Sequence, residues 1–237
     1  MNLSIIIPVY NEGENIVKTI NRIEEKVKVS HEVLLVYDFP EDSTLPFARK
    51  LIKKYPHIRL VLNKYGKGVL KAIKTGFKEA EGESVLLTMA DFSDDPKTIN
   101  LMYEEFRKGY DLICGSRYIK GGGQIGAPFF KSWLSRMAGA SAHFILNLPT
   151  HDLTNSFKMY RRSLLKKIRV ESGGGFELGM EIVLKSFFLG AKITEVPTVW
   201  RERTVGKSRF KLFSWLPKYL YWYIWAIRRK FLRFALK

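Results

Sequence analysis

The stretch Val85-Leu-Leu-Thr-Met-Ala-Asp91-Phe-Ser-Asp-Asp-Pro96 carries the clearest chemical signal in the chain, an aliphatic run that ends abruptly in carboxylates. A proline then opens a helical pattern at Ile99, Met102, Tyr103 and Phe106. This order predicts a buried strand that delivers Asp91 into a crevice, because ligands of open α/β sheets sit outside the carboxyl ends of the strands. Asp94 and Asp95 have a plainer use as caps of the following helix. Capping does not account for Asp91, several residues upstream. No histidine stands out as a catalytic base: His31 and His57 lie beside strand-like runs, and His143 lies in an apolar helical one. Gly66-Lys-Gly68 lacks the spacing and the following Ser or Thr of a nucleotide-binding P-loop.

The elements that must position Asp91 are legible as alternating periods. Leu3 to Ile7 reads as a strand, and Ile16, Ile20, Ile23 and Val27 recur at helical spacing. Val33 to Tyr37 is a second strand ending in Asp38-Phe-Pro-Glu-Asp42-Ser-Thr44, and Leu45 to Tyr55 a second helix. Ile58 to Leu62 is a third strand, with Gly66-Lys-Gly68 opening the next helix. Asp111 to Gly115 follows as strand five. Strands and helices in this alternation predict a doubly wound, mostly parallel sheet of the Rossmann-like kind.

After Gly115 the pattern changes. Gly121 to Gly123 and Gly173 to Gly175 read as flexible loops, and Trp133 to Leu148 as an apolar helix. Asp152 to Phe157 precedes a further basic helix. Phe176 to Leu189 reads as a helix, and Ile193 to Pro197 as an edge strand or connector.

A chain of 237 residues with 46% hydrophobic content supports a substantial core, which excludes global disorder. The net charge of +17 calls for an anionic partner: nucleic acid, membrane or phosphorylated substrate. The single cysteine, Cys114, sits in an apolar run and reads as a small core residue in a reducing compartment. No basic n-region or long h-region precedes Leu3, so no signal peptide is expected. From Arg201 onward the chain alternates cations with Trp215, Tyr219, Tyr221, Trp222, Tyr223, Trp225 and Phe231. A membrane span needs about 20 apolar residues, and Pro217 and Lys218 interrupt this one. The segment 212–237 therefore reads as interfacial, with aromatics at headgroup depth and cations on anionic lipid. The alternative is a basic aromatic helix packed on its own domain. Clustering beside membrane-type aromatics, without a recognised RNA or DNA module, argues against nucleic acid.

In order and spacing, the chain from Ile5 to about Phe210 resembles the family 2 glycosyltransferases of GT-A fold, and most closely the polyprenyl-phosphate sugar synthases. The matching segments are Ile5-Ile-Ile-Pro-Val-Tyr-Asn-Glu12, Asp38 with Asp42-Ser-Thr44, Gly66-Lys-Gly68, Met89-Ala-Asp91 through Asp95-Pro96, Gly115-Ser-Arg-Tyr118, Asp152 with Ser156-Phe157, and Arg203 to Arg209. The resemblance implies a catalytic domain over 1–211, with a nucleotide-sugar half (1–115) and an acceptor half (116–211). Residues 212–237 follow as the interfacial segment.

The resemblance further implies inverting transfer of a hexose, mannose or glucose, from a GDP- or UDP-sugar to a dolichyl or undecaprenyl phosphate. The setting would be the cytoplasmic face of the membrane, with room for a separate membrane subunit. Pro8, Tyr10, Glu12 and Asp38 would cradle the nucleotide, and Ala90 and Asp91 the diphosphate. Arg117, Lys131, Ser135, Arg203 and Arg209 would meet donor or acceptor phosphates, with Asp91, Arg117 and Arg203 central to catalysis. Asp91, with Ser93 or Asp94, would hold Mg2+ or Mn2+. Plainer uses stand beside these: a strand-ending turn for Pro8 and Tyr10, solvated charge for Arg117 and Lys131, general lipid attraction for Arg203 and Arg209.

Two positions depart from the family pattern. Tyr37 precedes Asp38 where a second carboxylate is usual, and Met89 takes the first acidic position of the metal motif, where a thioether is a poor ligand for a hard cation. Met89 leaves open a protein that binds nucleotide-sugar without turnover, and a non-lipid glycan acceptor is a second alternative.

Overall fold

The computed structural model of the chain describes residues 2–202 and 212–235. Arg203 and Arg209 lie outside the described residues. The first half builds the expected alternation: β1 (Leu3–Pro8), α1 (Asn15–Lys26), β2 (His31–Tyr37), α2 (Leu45–Lys54), β3 (Ile58–Leu62), α3 (Val69–Glu79), β4 (Ser84–Leu87), α4 (Lys97–Arg107) and β5 (Leu112–Ser116). The second half adds β6 (Gly123–Ile125), α5 (Phe129–Leu146), β7 (Lys158–Arg161), α6 (Arg162–Lys167), α7 (Leu178–Phe188), β8 (Ile193–Pro197), β9 (Val199–Arg201) and α8 (Leu212–Ala235).

The main sheet runs β3-β2-β1-β4-β7-β5-β8, parallel throughout except for β7. Strand residues alternate between two cores, as a period of two requires. Ile6, Leu34, Val36, Val85 and Leu87 face α3, α7 and α8. Leu3, Ile5, Ile7, Val33, Leu35 and Leu86 face α1, α2 and α4. With both faces covered, the central strands are apolar on both sides, which is why they read as runs without polar alternation.

β1 hydrogen-bonds β2 on one side and β4 on the other, so the winding reverses there. The carboxyl ends of β1 and β4 consequently open a crevice, and the loops at 9–15 and 88–96 form its walls.

Three elements differ from expectation. β7, in the interior of the sheet between β4 and β5, occupies part of a stretch that reads as the approach to a basic helix; only the one-and-a-half turns of α6 are helical there. Gly123 begins a strand, β6, paired in parallel with β9. The aromatic tail forms one helix that continues through Pro217. α8 lies across α5 and α7, burying Trp222 and Ala226. Its Tyr223 hydroxyl donates to Ser141 Oγ on α5 at 2.8 Å, and Tyr219 to the Phe176 carbonyl at 2.8 Å. Its other face leaves Tyr221, Ile224, Phe231 and Leu232 exposed, and Leu220 stands half exposed at the edge between the two faces. Packing on the domain and an apolar outer face thus occur in one helix. Among the described residues, no helix is long and apolar enough to cross a membrane.

Candidate active site

The loops after β1 and β2 are locked together by a buried carboxylate. Asp42 accepts the Asn11 amide at 3.1 Å on each oxygen and the Thr44 amide at 2.8 Å. Thr44 Oγ1 accepts the Glu12 amide at 3.0 Å. This net holds Asn11 in the left-handed region at φ 54°, a conformation asparagine tolerates better than most residues. Asp38 is spoken for by the neighbouring loop, accepting from Asn63 Nδ2 at 2.7 Å and the Gly68 amide at 2.8 Å. Gly68 itself has φ 119°, a backbone open to glycine alone. The rim so built exposes Tyr10 edge-on to Phe39, ring centres 5.7 Å apart, with Lys67 5.3 Å above Phe39. An exposed tyrosine against a half-buried phenylalanine under a cation suits a planar, anionic group.

The acidic loop follows β4. Thr88 and Met89 leave the strand, Ala90 is buried with its carbonyl accepting from Thr19 Oγ1 at 2.8 Å, and Phe92 is forced to φ 63°. For a bulky aromatic that conformation costs on the order of 1–3 kcal/mol, and such strain concentrates at functional sites. Asp91 Oδ1 accepts the Ser93 amide at 3.2 Å, and Asp94 Oδ2 accepts Thr88 Oγ1 at 2.8 Å. Enclosure of the Asp94 carboxyl, together with the charge of Asp91, pushes it up to about 7 despite the Thr88 bond. Asp91, Asp94 and Ser93 line the same end of one cavity and offer hard oxygen donors, a set that fits a divalent cation. The Met89 thioether beside them adds no suitable donor.

The basic side of the site is largely neutralised from within. Arg117 Nε and Nη2 engage the two oxygens of Asp152 at 2.6 and 2.8 Å, and Nη2 also reaches Ser135 Oγ at 3.0 Å and Thr154 Oγ1 at 3.1 Å. Burial pushes the Asp152 carboxyl up, but the charge and hydrogen bonds of Arg117 win and hold it below the usual carboxylate range. Burial equally opposes the Arg117 charge, and Asp152 raises it above its ordinary value. Lys158, on β7 and fully buried, bonds the Asn155 carbonyl; burial lowers its affinity for a proton, and Cys114 and Asp152 counter this only in part. Burial pushes the Cys114 thiol up to about 11, which leaves it inert as a nucleophile.

A cavity of about 560 Å³ joins these groups. Met89, Asp91, Ser93 and Asp94 line one end. Arg117, Lys131 and Ser135 line its flank, and Leu216, Tyr219, Leu220 and Tyr223 of α8 close it with Met137, Ala138 and Ser141 of α5. None of the four histidines is among its lining residues.

The structure thus brings Asp91, Ser93, Asp94, Arg117, Lys131 and Ser135 to one cavity. Pro8, Tyr10, Glu12 and Asp38 lie on the neighbouring loops at the carboxyl ends of β1 and β2, and Ala90 is a buried spacer between the two groups. Trp200 and Glu202, also in the lining, are absent from the residues singled out in the sequence, as are Thr154 and Lys158. The Arg201 amide donates to the Ser93 carbonyl at 2.9 Å, tying β9 to the acidic loop. For Lys158 one signal existed: a lysine set between Phe157 and Met159-Tyr160 interrupts an apolar run and needs partners if buried.

The model for glycosyl transferase family 2 matches residues 4–169. A dolichol-phosphate mannosyltransferase of Pyrococcus furiosus is 32% identical over 216 residues, covering 89% of this chain and 60% of that protein. A polyprenol monophosphomannose synthase of Mycolicibacterium smegmatis is 31% identical over 211 residues, covering 86% of this chain and 79% of that one. The chain therefore spans about 60% of the length of the Pyrococcus relative. Among solved structures, glucosyl-3-phosphoglycerate synthase of Mycobacterium tuberculosis with UDP and Mn2+ superposes with a TM-score of 0.65 at 16% identity, covering 91% of this chain and 75% of that one. A mannosyltransferase of Pyrobaculum calidifontis with GDP-Man and Mn2+ gives 0.63 at 17% identity, covering 87% and 58%. The shared fold is GT-A.

Proposed function

We propose that this chain, which belongs to glycosyl transferase family 2, moves a hexose from a nucleoside-diphosphate sugar to a polyprenyl phosphate at a membrane surface. The observation that carries this reading is the cavity itself, with carboxylates at one end and an apolar cleft between α5 and α8 at the other. The two relatives, named for mannosyl transfer to dolichol or polyprenol phosphate, support the same assignment.

An acceptor phosphate oxygen attacks the anomeric carbon from the face opposite the diphosphate. The new C1–O bond forms as the old one breaks, the nucleoside diphosphate leaves with the electron pair, and the configuration inverts. The acceptor is already an oxyanion at neutral pH, so no general base is needed. This agrees with a cavity free of lining histidines.

Asp91, Asp94 and Ser93 would hold Mg2+ or Mn2+, which when bound supplies charge stabilisation to the leaving diphosphate. The aromatic rim of Tyr10 and Phe39 holds the base side of the donor. Lys131 faces the acceptor phosphate. Arg117, committed to Asp152, fixes the floor of the cavity and the position of Ser135. Arg203 and Arg209 remain assigned to the phosphates on sequence grounds alone. Phe129, Phe130, Trp133, Phe144 and Ile145 of α5 are exposed beside the apolar face of α8, with Arg228, Arg229 and Lys230 alongside. This surface suits peripheral seating on the cytoplasmic leaflet, with cations against anionic headgroups.

The acceptor assignment is tested by offering polyprenyl phosphate, the corresponding polyprenol and a soluble glycan in detergent with labelled donor. Label is expected in polyprenyl phosphate only; equal labelling of the glycan would transfer the activity to a different acceptor class. For the membrane surface, Tyr221→Asp together with Ile224→Asp is expected to weaken binding to anionic vesicles roughly tenfold or more. Unchanged co-sedimentation would remove this face from the interface.

A further inference from the structure

At the opposite rim of the sheet, three side chains from three elements converge. Glu24 projects from α1, His31 opens β2, and His57 immediately precedes β3. β2 separates this rim from the Asp38 loop by roughly 20 Å, so the cluster has no part in the cavity. Among the described residues it is the only group of three His, Cys, Asp or Glu side chains whose ligand atoms converge, all within 4.8 Å of one another.

The hydrogen bonds at His31 fix its chemistry. Its Nδ1 lies 2.7 Å from the Val29 carbonyl, which only accepts, so Nδ1 carries the hydrogen and Nε2 of the neutral ring carries a lone pair. That lone pair faces Glu24 Oε1, another acceptor, at 3.4 Å. His57 Nε2 reaches the same oxygen from the other side at 2.9 Å, the two rings edge to face at 81°. Two acceptors turned toward each other call for a proton or a metal cation between them, and a second histidine on the same oxygen favours the metal. Backbone-anchored Nδ1–H with Nε2 free is the usual arrangement of a metal-binding histidine. Arms of 2.0–2.1 Å in a tetrahedron place ligand atoms about 3.3 Å apart; the two nitrogen–oxygen spacings here are 3.4 and 2.9 Å, and all three ligand atoms lie within 4.8 Å of one another. The His31 side chain is 7% exposed, Glu24 15% and His57 31%, so water reaches a fourth position only from the His57 side.

We propose that Glu24, His31 and His57 form a Zn2+ site that pins α1 to the amino-terminal ends of β2 and β3. Two imidazoles and one carboxylate match the nitrogen and oxygen preference of Zn2+, with water completing the shell.

The test uses the full-length, tag-free chain stripped with chelator and titrated with ZnCl2. One equivalent is expected to stay bound after dialysis, and free Zn2+ at about 100 times Kd is expected to raise Tm by roughly 5–10 °C for a chain of this size. His57→Gln and Glu24→Gln, both partly exposed, are each expected to weaken binding by at least ~10–100-fold, the loss that even an outer partner of a zinc ligand causes. Asp91→Ala is expected to leave it unchanged. Absence of both retained Zn2+ and a Tm shift in the unsubstituted chain would overturn the site and leave a proton-bridged His–Glu contact. Zn2+ lost on Asp91→Ala but kept in the His57 and Glu24 variants would also overturn it, placing the metal in the catalytic cavity.

Discussion

Asp91→Ala is expected to lower kcat for hexose transfer by roughly 10²–10³-fold, the range seen when one preorganised stabiliser of developing charge is removed. Asp91 is only partly buried, and it accepts the Ser93 amide within its own loop. Its loss should therefore spare the fold, and Tm should move little while transfer collapses. Because Met89 offers no carboxylate to compensate, the effect falls entirely on Asp94 and Ser93. Restoring a second carboxylate with Met89→Asp is expected to recover part of the lost transfer in the Asp91→Ala background. Turnover unchanged by Asp91→Ala would remove the acidic loop from the chemistry.

Arg117→Ala is expected to destabilise the protein by about 3–5 kcal/mol, since it leaves Asp152 buried and unpaired. Against a total stability of about 5–15 kcal/mol, that loss is large enough to lower the urea midpoint clearly. The pair is bidentate and enclosed, unlike the exposed ion pairs that contribute little. Its pH dependence follows from Asp152. The folded carboxyl titrates below its unfolded value of about 3.9. The pair's contribution is thus fully present above that value and is lost as pH falls through the lower folded one. Unfolding of the wild-type chain followed from pH 7 into the acid range should show this loss, and Asp152→Asn should flatten it. An Arg117→Ala chain as stable as wild type, with only KM for the acceptor changed, would instead make Arg117 a free phosphate ligand.

The contrast over Arg117 shows where the sequence runs out. Its type and its place after β5 suggest a phosphate ligand, but a guanidinium is equally able to satisfy a buried carboxylate 35 residues on, and no local pattern joins Arg117 to Asp152. The alternation from β1 to β5 was readable because both faces of each strand are buried, making long aliphatic runs flanked by polar loops. β7 was not, because Lys158-Met-Tyr-Arg161 is four residues long and begins with a lysine that only tertiary partners make tolerable in a core. β6 and β9 are three residues each and hold through mutual pairing, which no periodicity reveals. The acidic loop was legible as carboxylates after a strand; the strain at Phe92, with Arg22 5.6 Å above its ring, was not, because φ depends on what surrounds the residue. The apolar outer face of α8 was legible, and the burial of Trp222 and Ala226 on its inner face was not.

The most direct measurement is transfer of labelled hexose from a panel of GDP- and UDP-sugars to polyprenyl phosphate in detergent, with and without EDTA. A lipid-linked product that disappears with EDTA and returns with Mn2+ or Mg2+ is the expected result, and it would place a divalent cation on the Asp91 loop despite Met89. No product from any donor, alongside clear nucleotide binding, would contradict the assignment and leave a protein that holds the donor without transferring its sugar.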